Sequence, residues 1–436
     1  MSIKKIFCRI TAFVRTADIV KVFSLNAIST FVRMLAGMVS IKVVAAIIGP
    51  AGVALLGQLG NISSILLGVA NGGIGSGVTK YVAEYKEDSL TTRKYLSNAL
   101  RITLYCTFAI ALVLIFGSSF LSKYILLSDE YGYVFVVFGF TIVFYSLNTL
   151  LISVLNGYKR FQKYVTVNIT GTIIGLLFSI SLVSLWGLTG ALINAVTFQS
   201  VMFFVTLYLL RKEEWLRKEL FMGRIEKKIV RDYMKFSYMA FFSLTLLPVS
   251  QMLLRGYVIS QISIDDAGLW EGMNKISNMY LSVITTSLTV YYLPRLSEIK
   301  DRRELHCEIF RCYKFILPML LSCLGLIYLL RQFILWLLFT PAFYPMEALF
   351  AWQLAGDFFK IASWLLAFQM VAKAQTKLFI STETAFTLLY VVLSFAFMKI
   401  NGIVGLVQGY LVNYILYSLL MLWLYRDIVF IKKVTR

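Results

Sequence analysis

Apolar residues in this chain come in long blocks separated by short polar stretches rich in Lys and Arg. Twelve blocks can be marked, at about 22–47, 54–78, 96–118, 131–156, 164–186, 188–210, 236–260, 268–292, 311–330, 346–371, 376–398 and 402–425. A helix rises about 1.5 Å per residue, so blocks of roughly 20 to 25 residues match a hydrocarbon layer about 30 Å thick. Each block is therefore predicted to be a transmembrane helix. Charges or clustered Gly and Asn interrupt three of them, 22–47, 54–78 and 268–292. Pro248 and Pro318 are expected to kink spans 7 and 9. The run ANGGIGSG at 70–77, with Gly72, Gly73, Gly75 and Gly77, is expected either to weaken span 2 as a hinge or to admit close contact with another helix.

The polar stretches set a direction. One alternating set of loops, with the N-terminus, residues 211–235 and the tail, holds 33 of the 42 Lys and Arg, whereas the opposite set holds only Lys123, Arg331 and Lys399. Basic loops stay on the cytoplasmic side, so both termini are expected there and the number of spans is even. The net charge of +20 needs no nucleic acid, because anionic headgroups attract such a flank. Composition agrees: 59% of residues are hydrophobic and 15% charged, against about 25% charged in soluble domains.

Residues 1–21 carry the basic flank of a signal peptide, but Arg9, Arg15 and Asp18 interrupt the apolar core, so a retained interfacial helix is expected. The five cysteines follow no metal-ligand spacing, and the single histidine, His306, falls in a basic loop with no metal partner in view. No arrangement suggests a hydrolytic triad, a metal centre or a cofactor.

Residues 55–87 align without a gap on 269–301 at an offset of 214, with seven of 33 positions identical, among them Ser63/Ser277 and Glu84/Glu298. Each copy is the second span of six and leads into a basic loop. Two parallel six-helix bundles related by a pseudo-twofold axis along the membrane normal are therefore expected, with a cavity between them. The bundles would occupy 22–210 and 236–425, joined by the basic linker 211–235, expected as an amphipathic interfacial helix, and followed by the tail 426–436.

Six cations lie within or beside the spans: Arg33, Lys42, Arg101, Arg255, Lys275 and Lys360. A cation at mid-membrane costs at least about 2.5 kcal/mol unless it snorkels or faces water. Lys42 and Arg101 are near enough to an edge to snorkel. Arg33 is not, and it shares a helix stripe with Asn26 and Ser40. In span 8, Glu271 precedes Lys275 by four residues, the favourable order for an ion pair, beside Trp270, Asn274 and Asn278. In span 10, Gln353, Asp357 and Lys360 recur on one face. Each group is expected to line a cavity, with helix-fixing ion pairs as the alternative. The surplus of cations favours an anionic cargo such as a pyrophosphate, and Trp270 and Trp352 offer flat faces to sugars.

The segments GPAGVALLGQLGN, GIGSGVTKYVAEY, AGLWEGMNKISNMYLSVITTSLTVYYLPRLSEI and FAWQLAGDFFKIASWLLAFQMVAKA resemble the bacterial Wzx flippases, which include enterobacterial common antigen and O-antigen translocases. The likeness spans nearly the whole chain after Asp18. The family's Trp-polar pair matches Trp270-Glu271, although Glu271 stands where a glutamine is found and Lys275 where a small polar residue is found. Its span-10 pattern matches Trp352, Gln353, Leu354, Gly356, Asp357 and Lys360.

This resemblance implies a twelve-helix, MATE-like member of the multidrug/oligosaccharidyl-lipid/polysaccharide exporter superfamily in the bacterial inner membrane. Its cargo would be an undecaprenyl-pyrophosphate-linked glycan, moved to the periplasmic leaflet by alternating access without covalent chemistry. Arg33, Lys42, Arg255 and Lys275, with Trp270 and Trp352, are expected to bind it. Glu271, Gln353, Asp357 and Lys360 are expected to form a polar network, with proton or sodium coupling through Glu271 or Asp357 left open. Expected partners are the glycan lipid, membrane lipids, a polysaccharide polymerase and a chain-length regulator. An ion-coupled multidrug or organic-anion exporter is the alternative of the same fold; a membrane glycosyltransferase or polymerase would need larger external loops.

Overall fold

A computed structural model describes residues 3–213, 215, 216, 223, 225–299, 301–373 and 375–429, with side chains from Ile28 onward except at Met239, Ser243, Ser287, Val290, Pro294 and Val429. The described residues form helices and turns, with no strand among them. Eight helical stretches are long and apolar enough to cross a membrane, and their most apolar windows are only 12–56% buried. Phe116, Leu185, Leu329 and Ile400 stand at 73–84% exposure. Lipid is the solvent that such surfaces require, since helices satisfy their own backbone groups there. The chain is an integral membrane protein.

Three of the eight stretches each hold two sequence windows. Helix α1 (Ile3–Ala70) breaks at Gly49, α6 (Phe161–Leu210) at Gly187 and α13 (Thr376–Leu424) at Asn401–Gly402. The three glycines adopt φ of 67°, 53° and 57°, and a Cβ there would meet nothing within 4 Å. Backbone conformation, not space, calls for glycine at these breaks. Pro50 follows the first one, where its fixed φ suits the start of a new helix.

The remaining long helices are α3 (Ser89–Phe116), α5 (Gly132–Gly157), α7 (Lys227–Gln261), α8 (Ile264–Ser287), α10 (Arg302–Leu329) and α12 (Glu347–Ala372), with short α2 (Gly75–Tyr85), α4 (Ser118–Leu121), α9 (Leu293–Glu298), α11 (Arg331–Leu338) and α14 (Arg426–Val429) between them. Asp88 caps α3 by accepting from the Leu90 and Thr91 amides, both at 3.1 Å, and the Thr91 hydroxyl bond holds its carboxyl below the usual range. Ser263 caps α8 by accepting from Asp266 N at 2.9 Å, and Asp265 and Asp266 suit its positive end. Helix α8 therefore starts at Ile264, four residues before the apolar block at 268. Acidic residues that look like loop in the sequence are its first turn.

The contacts divide the chain into two compact units, Met1–Val43 with Ile62–Leu244, and Val44–Asn61 with Thr245–Arg436. Compared with the expected bundles 22–210 and 236–425, the first half of span 2 goes with the later unit and the first half of α7 with the earlier one. Close packing explains both. Gly268 is pressed on the backbone of Pro50 in the later unit, and in the earlier unit Gly77 faces Tyr233 and Phe236 at 3.0 Å.

The earlier unit is centred on α2, α3, α5 and α6. Its core at the α2 end contains Val78, Leu96, Val154 and Tyr233, with Tyr81 stacked on Tyr95 at 4.5 Å. The glycine run makes both the break and the close approach expected of it. Gly72 and Gly73 form the turn between α1 and α2 at φ 63° and 65°, and a Cβ on Gly73 would lie 3.0 Å from Ser237 Cα. Gly73→Ala is expected to cost at least the 1–2 kcal/mol of a left-handed alanine, read as lower thermal stability in detergent. A wild-type melting curve would refute it.

Within the expected linker 211–235, Lys227–Lys235 are helical as the start of α7, whereas the described residues Arg211–Glu213, Trp215, Leu216, Gly223, Ile225 and Glu226 are not helical. They are instead tied to this unit: Trp215 stacks on Tyr158 at 5.6 Å, and Glu226 N donates to Asn98 Oδ1 at 3.0 Å. Residues 214, 217–222 and 224 lie outside the described residues, as do 430–436 of the tail and the side chains of 1–27, including Asn26.

The later unit packs α12 against α13, α10, α8 and α9. Its core includes Leu288, Tyr292, Leu366, Met370, Tyr417 and Met421. His306, whose residue lies in α10, is not free, since its Nδ1 donates to Ile428 O at 2.6 Å.

Candidate functional site

In the earlier unit a cavity of about 540 Å3 opens between α1, α5 and α6. Four residues of α1, Arg33, Ala36, Gly37 and Ser40, line it at spacings of three and four, so they form one stripe. The Arg33–Ser40 part of the expected polar stripe thus faces a cavity. Arg33 is exposed and makes no ion pair or hydrogen bond among the described residues. The small residues Ala36 and Gly37 between them keep the wall open.

The opposite wall was not anticipated. Asn148 comes from α5, Asn168, Thr172 and Ser179 from the first half of α6, and Asn194, Gln199 and Thr206 from its second half. Asn148 Nδ2 donates to Gln199 Oε1 at 3.4 Å, and Asn168 Nδ2 to Tyr164 O at 2.9 Å. Asn148 Oδ1, Asn194 Oδ1 and Thr206 Oγ1 have no partner among the described residues. Asn168, Thr172 and Ser179 recur at four and seven residues in spans that otherwise read as lipid-facing. That recurrence was visible in the sequence, but a search for charges passes over neutral amides.

The later unit handles its charges differently. Arg255 is 1% exposed and pairs with Glu271; its Nη1 donates to Gln58 Oε1 at 3.1 Å, and its guanidinium lies 5.2 Å from the Trp270 ring centre. A cation so enclosed is part of the helix packing in this structure. Trp270, 1% exposed, is likewise enclosed as a partner of Arg255. Glu271 bonds Arg255 and not Lys275, so the intrahelical pair that the spacing allows does not form. Helix geometry permitted that pair, but a guanidinium buried beside Glu271 needs the carboxylate more. Lys275 is partly buried, within electrostatic reach of both.

Asp357 is fully buried and accepts four hydrogen bonds. Ser277 and Tyr280 donate to Oδ2, while Tyr410 at 2.7 Å and Gln353 at 3.3 Å donate to Oδ1. The expected neutralisation by direct pairing with Lys360 is not what the structure shows. Lys360 turns to the rings of Trp364, Tyr414 and Tyr410, at 5.1, 5.5 and 5.7 Å, with Asp357 and Glu383 in electrostatic reach. Cation–π contact and two nearby carboxylates stabilise the ammonium without a short ion pair. Glu383, which accepts from Tyr417 OH at 3.1 Å, is a further acidic residue within an apolar block, beside Glu271 and Asp357. Trp352 is 40% exposed, and Lys42 and Arg101 are partly buried, none of them in the cavity wall.

Comparison with known proteins gives these geometries a context. The chain is 29% identical over 392 residues to the Lipid III flippases of Escherichia coli (strain K12) and Shigella flexneri, covering 90% of this chain and 94% of each relative. Among solved structures, an inward-facing multidrug resistance MATE family transporter of the MOP superfamily matches with a TM-score of 0.77 at 13% identity, covering 93% of this chain and all of that one. The lipid II flippase MurJ in an inward closed conformation matches with a TM-score of 0.75 at 16% identity, over 93% of this chain and 89% of that one. This chain shares the fold of these two structures. The family model described as "Polysaccharide biosynthesis protein" matches residues 19–300, well over half the sequence, and this chain belongs to that family.

Proposed function

We propose that the protein is a flippase of the bacterial inner membrane that carries an undecaprenyl-pyrophosphate-linked oligosaccharide from the cytoplasmic to the periplasmic leaflet. The observation that carries this reading is the match to two Lipid III flippases over nine-tenths of both lengths. The protein is a transporter and not an enzyme. A multidrug or organic-ion exporter shares the fold, but the end-to-end sequence relatives are flippases.

Twelve spans in two parallel bundles remain the architecture we favour. The glycine breaks in α1, α6 and α13 divide three of the eight long stretches, and α8 adds a charged span. The internal duplication is supported by matching ends: Ser263, the cap of α8, stands 214 residues after Gly49, the break before Pro50. The charge of the loops favours both termini in the cytoplasm. A polymerase and a chain-length regulator are proposed partners on the strength of the cargo alone.

Arg33, unpaired in a cavity wall, is the cation best placed to meet the pyrophosphate, with Lys42 and Lys275 as further candidates along the path. In proteoliposomes, Arg33→Ala is expected to slow translocation of the lipid-linked glycan by at least about tenfold, the equivalent of one lost charge-assisted bond. A wild-type rate would remove Arg33 from the path. Proton or sodium coupling is proposed only through displacement of the partners of Glu271 or Asp357, since both carboxylates are held. Translocation indifferent to separate proton and sodium gradients would refute it.

A further inference from the structure

The cavity of the earlier unit has a lining that a pyrophosphate does not explain. Among its described lining residues Arg33 is the one charged at neutral pH, while the rest of the polar wall consists of amides and hydroxyls: Asn148, Asn168, Asn194, Gln199 and Thr206. One cation suits one end of a diphosphate. Four amides suit something else, because an uncharged amide offers a donor and an acceptor side by side, which is what sugar hydroxyls present in return. A prenyl chain would strand these groups without partners, at a desolvation cost for each.

We infer that this amide wall is a glycan-binding subsite which reads the uncharged, polyhydroxylated part of the cargo, while Arg33 marks its anionic end. The inference rests on the flippase reading and deepens it by naming which part of the cargo this unit selects. The volume of about 540 Å3 lies within the range of roughly 300–1,000 Å3 usual for small-molecule sites. On three lining residues, the buried atoms Asn148 Oδ1, Asn194 Oδ1 and Thr206 Oγ1 have no protein partner among the described residues, so a turn of the side chain would bring them to a ligand without breaking a bond they make. Phe198 and Tyr164 in the same lining supply aromatic faces against which the apolar face of a pyranose can lie. Arg33 and Ser40 on α1 stand opposite the α5–α6 amides, so the wall can discriminate by hydroxyl pattern while the charge is met separately.

The test compares two probes on the full-length protein in nanodiscs: bare undecaprenyl pyrophosphate, and the lipid-linked glycan pool extracted from cells of the native host that lack this gene. Asn168→Leu and Asn194→Leu, which keep the branching at Cγ and remove the amide, are expected to reduce the preference for the glycan-bearing probe over the bare one by about tenfold each. Arg33→Ala is expected to weaken both probes together. Should either leucine variant fail to fold, Asn168→Ser and Asn194→Ser carry the same comparison with a smaller effect. Equal loss for both probes, or no loss for either, overturns the subsite. Failure of the wild-type protein to translocate the glycan pool in proteoliposomes would instead overturn the flippase reading, a separate outcome.

Discussion

Arg255→Ala is expected to destabilise the later unit by about 3–5 kcal/mol, the usual consequence of removing one member of a buried ion pair. Glu271 would lose its partner with 14% of its side chain exposed, Gln58 Oε1 would lose a donor, and the Trp270 ring would lose its cation. The double change Arg255→Met with Glu271→Gln is expected to recover most of that loss, because it removes both charges and retains bulk. Reversible denaturation in detergent, run as a double-mutant cycle, measures the coupling. Additive losses for the two sites would mean that the pair contributes nothing jointly. A further check comes from Gly57, where an added Cβ would lie 2.7 Å from Glu271 Cδ and 2.9 Å from Arg255 Cζ. The ion pair occupies the space left by that glycine. Gly57→Ala is therefore expected to disturb the same pair without touching either charge.

Asp357→Ala should have an effect of similar size for a different reason. Four donors, from Ser277, Tyr280, Gln353 and Tyr410, converge on this carboxylate, and truncation would leave them facing one another. A buried polar group left without its partner costs about 1–3 kcal/mol, so even two orphans exceed the margin of many single substitutions. The loss of the nearby anion also removes part of what stabilises Lys360 among its three rings. Asp357→Asn is expected to be milder, since the amide keeps one acceptor and hydroxyl partners can rotate to accept from its NH2. Melting temperature in detergent for the Ala and Asn variants is the measurement. If Asp357→Ala and Asp357→Asn were equally harmless, the convergence of donors would have no energetic importance.

The charged positions show how far a linear reading reaches. Residue type and depth in an apolar block suffice to single out Arg33, Arg255, Glu271, Asp357 and Lys360, because a charge in hydrocarbon is costly wherever it stands. Partner choice is not legible in the same way. Spacing along one helix favoured Glu271 with Lys275 and Asp357 with Lys360. The structure instead joins Glu271 to Arg255 on α7 and surrounds Asp357 with hydroxyls from α8 and α13. The amides of α5 and α6 escaped for a related reason. Neutral polar residues are tolerated in lipid-facing helices, so only a neighbouring wall shows that Asn148, Asn168 and Asn194 belong together.

The sequence by itself determined that the chain lives in a membrane, which blocks are long enough to cross it, and which side the basic loops favour, because hydrophobic length and loop charge are local quantities that the bilayer reads directly. It also carried the glycines at the helix breaks. Only tertiary structure decided that Arg255 is enclosed while Arg33 is open to a cavity, and that residues 44–61 pack with the later unit. Two arginines in similar apolar surroundings differ because burial, unlike hydropathy, is a property of the residues brought near from elsewhere in the chain.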